Sequence, residues 1–131
     1  MNTKPRIAVV GTGWWSTEFH IPSLKKYPDC ELVALIDPNA EKRRKAEDLF
    51  EIPSGYASVS EALAEIKLDG AIIATPSALH YPVAKELLEN GVHVMVEKPF
   101  TTIASDAYEL VNLAKSRSLH LTVGYTFQHT N

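Results

Sequence analysis

The sequence predicts an α/β fold: a doubly wound parallel sheet of six strands in the order 3-2-1-4-5-6. Three observations predict it. Short apolar runs alternate with helical patterns along all 131 residues, with no repeat and no low-complexity segment. The first run, Arg6-Ile7-Ala8-Val9-Val10, feeds straight into Gly11-Thr12-Gly13. The second, Leu32 to Ile36, ends on the acidic Asp37. Crossovers in such sheets are right-handed, and a glycine turn in the first βαβ unit then favours this strand order.

Composition narrows the class. The chain has the size of one domain and is 45% hydrophobic and 22% charged, as globular domains are. A net charge of −3 supplies no basic field, so nucleic acid is not an expected partner. The lone Cys30 excludes an internal disulfide and fits a reducing compartment. Met-Asn-Thr-Lys-Pro leads into a strand and lacks the shape of a signal peptide. No apolar run is long enough to span a membrane. A cytoplasmic enzyme domain with no membrane partner is the expectation.

Each element has its own warrant. Four apolar residues in a row read as a strand buried on both faces. A helix is expected from Trp15 or Ser16 to Tyr27, with Phe19, Leu24 and Tyr27 at helical spacing and a kink or restart at Pro22. His20 precedes that break and reads as a packed or capping residue. Asn39 to Phe50 reads as a helix with a solvated charged face, which includes Lys42, Arg43 and Arg44, and with Ala40, Ala46, Leu49 and Phe50 turned inward. Tyr56-Ala57 is a very short third strand. Ser58 to Glu61 fits a capping box that opens a helix through Ile66. Asp69 to Ala74 is a strand, and Leu79 to Asn90 a helix closed by Gly91. Val92 to Val96 and Leu119 to Gly124 are the last two strands. Between them Ser105 to Ser116 is a helix with acidic residues early and basic ones late, which suits its macrodipole.

The motif Gly11-x-Gly13-x-x-Ser16, between a buried strand and a helix, is a dinucleotide fingerprint in its proper context. Gly11 allows the tight turn, and Gly13 lets the backbone approach a pyrophosphate. The helix N-terminus, with Thr12, Trp14 and Trp15 around it, offers free N–H groups to that anion. Ser16 stands where Gly or Ala is usual and weakens the match. Asp37 lies about two dozen positions past the glycines, where a Rossmann domain holds the adenosine ribose. It is equally placed to cap the helix beside Pro38. Gly11, Asp37, Thr75, Pro76, Glu97, Lys98 and Tyr125 all fall at the carboxyl ends of predicted strands, where such sheets bind ligands.

Gly11-Thr12-Gly13, Ala74-Thr75-Pro76 with His80, and Glu97-Lys98-Pro99 together resemble the Gfo/Idh/MocA family of NAD(P)-dependent oxidoreductases. The resemblance covers nearly the whole chain but only half of such an enzyme. It implies domain limits of 1–124 for the dinucleotide-binding part and 125–131 for the start of a connection to an absent substrate domain. It implies that Gly11 and Gly13 hold the pyrophosphate and Asp37 the adenosine ribose. Thr75 and Pro76 would line the cleft, with Glu97 and Lys98 beside the nicotinamide and Lys98 next to the substrate hydroxyl. Pro99 is often cis in the family, a plausible way to aim Lys98. Relatives often have Asn at the position of Ser77, and the segment after Gly124 also departs from the family pattern. The catalytic histidine and aspartate of the family lie in its second domain, so the chain alone is expected to be incomplete for catalysis. The complete enzyme is expected to be a homo-oligomer acting on a sugar- or polyol-type substrate.

Hydride transfer at an alcohol carbon needs a group to take the hydroxyl proton. Lys98 is the candidate: desolvation lowers a lysine pKa, whereas Glu97 beside it raises it. His80 opens a helix beside the cleft, to touch the cofactor or simply to cap. His93 and His120 read as structural, and His129, near the terminus, as mobile. No Cys, His and carboxylate spacing suits a metal. Asp37 favours NAD over NADP. Two alternatives stand beside this reading: a stand-alone dinucleotide or redox sensor without chemistry, and a domain for CoA or S-adenosylmethionine. Glu97-Lys98-Pro99 argues against the latter, because an adenosine reader has no use for it.

Overall fold

Val9 has its neighbours on one face of the sheet and Ala8 and Val10 have theirs on the other, and all three are buried. They belong to β1 (Arg6–Val10), which sits at the centre of the sheet between β2 (Glu31–Ile36) and β4 (Gly70–Ile73). β3 (Ser54–Tyr56) forms one edge; β5 (His93–Glu97) and β6 (Leu121–Gly124) complete the other side. The order is β3-β2-β1-β4-β5-β6, and every pairing is parallel. This is the doubly wound arrangement expected, in a computed structural model that describes residues 3–124. The expectations for Tyr125, His129 and the rest of 125–131 lie outside the described residues.

Among the described residues five α-helices cover the sheet: α1 (Ile21–Lys26), α2 (Ala40–Phe50), α3 (Val59–Glu65), α4 (His80–Glu89) and α5 (Ala104–Ser116). Ile21 of α1 and Ala46 of α2 pack with Val9, Leu32 and Leu35 on one face. Leu87 and Leu88 of α4 and Leu110 of α5 pack with Val10, Ile36, Ile73 and Val96 on the other. Each such Leu or Ile, fully buried, stabilises the fold by roughly 1.5–3 kcal/mol.

The ends of elements follow their local chemistry. Ser58 accepts a hydrogen bond from the Glu61 N–H at 3.2 Å and caps α3. Glu61 returns its carboxylate to the Ala57 N–H, one residue upstream of the usual capping-box donor. Gly91, at φ 78°, closes α4. Four expectations need correction. After the glycines the chain makes a wide π turn, Ser16–His20, before α1 starts at Ile21. The helical path itself runs unbroken from Trp14 to Lys26, and it widens in this π turn just ahead of Pro22. Leu49 is 69% exposed rather than turned inward. Arg43 is not a solvated charge, and Asn39 rather than Asp37 caps α2 by accepting from the Lys42 N–H at 3.0 Å.

Candidate functional site

The two fingerprint glycines do different work. Gly11 has φ 102°, and a Cβ there would stand 2.5 Å from the Ala74 carbonyl oxygen. Its N–H donates to Ile36 O at 2.8 Å, so the turn is locked between β2 and the end of β4. Gly13 has nothing within 4 Å of where a Cβ would be. That open side belongs to a cavity of about 490 Å³ lined by Gly11, Thr12, Gly13, Asp37, Thr75 and Pro76, among others. Gly13 and Trp14 lead into the helical run, whose first N–H groups have no intrahelical acceptor. Ser16, at the third fingerprint position, is 1% exposed, and its Oγ has no hydrogen-bond partner among the described residues.

Asp37 is fixed at the tip of β2. Its Oδ2 accepts from both the N–H and the Oγ1 of Thr12, each at 2.8 Å, and its Oδ1 accepts from the Asn39 N–H at 2.8 Å. Three of a carboxylate's roughly four acceptor sites are thus used, and one remains for a ligand hydroxyl. Thr12, 4% exposed, serves as the clamp on Asp37. Arg43 completes the brace: Nη1 donates to Asp37 O at 2.7 Å and Nε to Glu47 Oε1 at 3.2 Å. Lys42 lines the same cavity.

The other end of the cleft is a cavity of about 310 Å³ lined by Trp15, Ala74, Thr75, Glu97 and Lys98. Thr75 lines both cavities and links them. Glu97 Oε1 accepts from Trp15 Nε1 at 3.1 Å and from His20 Nε2 at 2.6 Å. Lys98 is exposed at the rim and makes no ion pair among the described residues. The Lys98–Pro99 bond is cis. Trp14 lines neither cavity; it is 67% exposed and packs edge-on against Phe19.

His80 lies apart from both cavities. It is 1% exposed and lines neither cavity. Its Nδ1 lies 2.8 Å from Pro99 O and its Nε2 3.0 Å from Thr75 O. Both ring nitrogens thus face carbonyl oxygens of the loops that follow β4 and β5, and the ring N–H donates to one of them. His93, by contrast, sits in a strand as expected, with Nδ1 accepting from the His120 N–H at 2.9 Å. Sequence reasoning missed His20 as a partner of Glu97. The only local signal was a polar side chain within a helical turn of the fingerprint. Among the described residues no group of three His, Cys, Asp or Glu side chains is arranged to hold a metal, and no helix is long and apolar enough to cross a membrane.

Comparison with known proteins agrees with this geometry. The family profile described as "Oxidoreductase family, NAD-binding Rossmann fold" (GFO_IDH_MocA) matches residues 5–125. A UDP-N-acetylglucosamine 3-dehydrogenase of Acidithiobacillus ferrooxidans is 36% identical over 122 residues, which cover 92% of this chain and 36% of that protein. The crystal structure of the WlbA dehydrogenase from Bordetella pertussis, in complex with NADH and UDP-GlcNAcA, superposes with a TM-score of 0.91 at 31% identity, over 98% of this chain and 39% of that one. A point mutant of the 3-ketoreductase KijD10 from Actinomadura kijaniata, in complex with TDP-benzene and NADP, does so with a TM-score of 0.89 at 26% identity, over 98% and 39%. The chain spans about a third of the length of the curated relatives it matches. Such folds bind NAD or NADP, and the chain belongs to the Gfo/Idh/MocA oxidoreductase family, whose NAD-binding Rossmann fold it carries.

Proposed function

We propose that the chain is the cofactor-binding part of an oxidoreductase that moves hydride to or from a hydroxyl or carbonyl carbon of a sugar-type substrate, with NAD preferred to NADP. The observation that carries it is a pair of cavities along the strand ends that share Ala74 and Thr75, one with Asp37 and the open space over Gly13, the other with Glu97 and Lys98. That space is a cradle a side chain would fill, so the residues present fit the dinucleotide. Gly11 and Gly13 shape the turn for the pyrophosphate, Asp37 offers its remaining acceptor site to the adenosine ribose, and Thr75 and Pro76 wall the middle. When bound, the dinucleotide supplies the ring that accepts or gives up hydride. Lys98, at the open rim, holds the substrate hydroxyl and exchanges its proton at Nζ. The sugar class of the substrate is supported by UDP-GlcNAcA in the WlbA complex.

A fluorescence titration with NADH, with ADP-ribose as competitor, tests the reading. The folded chain is expected to bind both. A chain with a native circular-dichroism spectrum that binds neither overturns it.

A further inference from the structure

We propose that His20 is a positioning residue that, together with Trp15, fixes the carboxylate of Glu97 at the nicotinamide end of the cleft. The inference rests on the dinucleotide reading above and adds a residue to it. Two donors from the segment after the glycines converge on a single oxygen 77 and 82 residues away, His20 Nε2 at 2.6 Å and Trp15 Nε1 at 3.1 Å from Glu97 Oε1. The side chains of His20 and Glu97 are only 13% and 14% exposed. Indole N–H can only donate, and a carboxylate can only accept, so Nε2 carries the proton in this contact.

The path of the backbone delivers His20 there. The π turn Ser16–His20 closes by the Ile21 N–H donating to Ser16 O, five residues back, one more than an α-turn allows. Glycine at Gly124 leaves room beneath the carboxylate; a Cβ there would lie 3.3 Å from Glu97 Oε1 and 2.9 Å from Met95 Cε. With Oε1 taken by two donors, Oε2 is the oxygen left to accept from a ligand, and its position is set by donors from the segment after the glycines. His20 thus acts on the ligand through Glu97.

The test compares NADH with ADP-ribose, which lacks the nicotinamide end. In His20→Leu, NADH affinity is expected to fall about tenfold, the scale of one lost hydrogen bond to a charged group, with ADP-ribose affinity within about twofold of wild type. His20→Gln, whose amide nitrogen reaches the place of Nε2, is expected to recover most of the loss. In a Glu97→Gln background, His20→Leu is expected to cost far less, because residues acting through one contact are not additive. Equal losses for NADH and ADP-ribose, no loss for either, or the full loss repeated in the Glu97→Gln background overturns the proposal. Should the leucine variant fail to fold, His20→Ala takes its place in the same comparison: a loss confined to NADH supports the proposal, and equal losses for both ligands, or none, overturn it. If the wild type does not bind ADP-ribose, the dinucleotide reading fails and takes this one with it.

Discussion

Two glycines two residues apart should respond to substitution in opposite ways. Gly11→Ala puts a Cβ against a backbone carbonyl at a left-handed φ, a strain of about 1–3 kcal/mol or more, so a fall in melting temperature is expected. Gly13→Val meets open space, so stability should hold while NADH binding is lost. Parallel thermal melts and titrations separate the two. Unchanged NADH affinity in Gly13→Val would mean that the turn is only a turn. Ser16→Ala removes a buried hydroxyl without a partner and should raise stability by up to about 1 kcal/mol, read as a denaturation midpoint. For cofactor choice, the proposed reading puts the Asp37 carboxylate where NADP would bring a phosphate. NADH is expected to bind at least about tenfold more tightly than NADPH, and Asp37→Ser to erase the difference. Equal affinities in the wild type would leave Lys42, at the wall of the same cavity, offsetting the carboxylate. The glycines, Asp37, Glu97 and Lys98 were legible because each ends an apolar run. The role of His20 was not, because its partner is 77 residues away and local spacing carries no record of that contact.

Strand order and helix identity followed from period and punctuation, and what escaped was decided by tertiary contact. The helical run after the glycines widens into a π turn just ahead of Pro22, and this brings His20 to Glu97. Leu49 stays exposed because the inward positions of α2 are taken by other residues, Ala46 among them. His80 illustrates the same limit at the start of α4: a polar residue at a helix start looks like a cap or a ligand contact, yet its ring joins the loops after β4 and β5. Replacing it by Phe should cost about 1–3 kcal/mol for the carbonyl that loses the ring N–H, measured by denaturant unfolding. Helices α4 and α5 are joined at the surface by Tyr81, Lys85 and Glu109. The Tyr81 hydrogen bond, and then Lys85, hold the Glu109 carboxyl below its ordinary range. Its folded-state value therefore lies below the unfolded one. The contribution is present above the unfolded value and fades as pH falls through the folded one. Glu109→Gln should accordingly lower the melting temperature slightly near neutral pH, and the gap should close in strong acid.

At the scale of the molecule, every group assigned to the dinucleotide lies along one edge, where six parallel strands end and the loops begin. The sheet positions Glu97 and Lys98 at that edge, with Lys98 at an open rim. The family resemblance assigns a catalytic histidine and aspartate to a further domain, and the chain spans about a third of its curated relatives. Binding and turnover should therefore separate. The 131-residue polypeptide is expected to bind NADH yet leave a panel of sugars, polyols and nucleotide sugars unoxidised, as followed by nicotinamide absorbance. A longer polypeptide that adds a substrate domain of the family type should turn over at least one of them, and Lys98→Ala in that protein should lower kcat by about 10²–10⁴, the span of a lost general acid–base group. Robust turnover by the 131 residues alone would locate the whole catalytic apparatus within this sheet and overturn the division. Full activity in Lys98→Ala would leave the division standing and remove Lys98 from the chemistry.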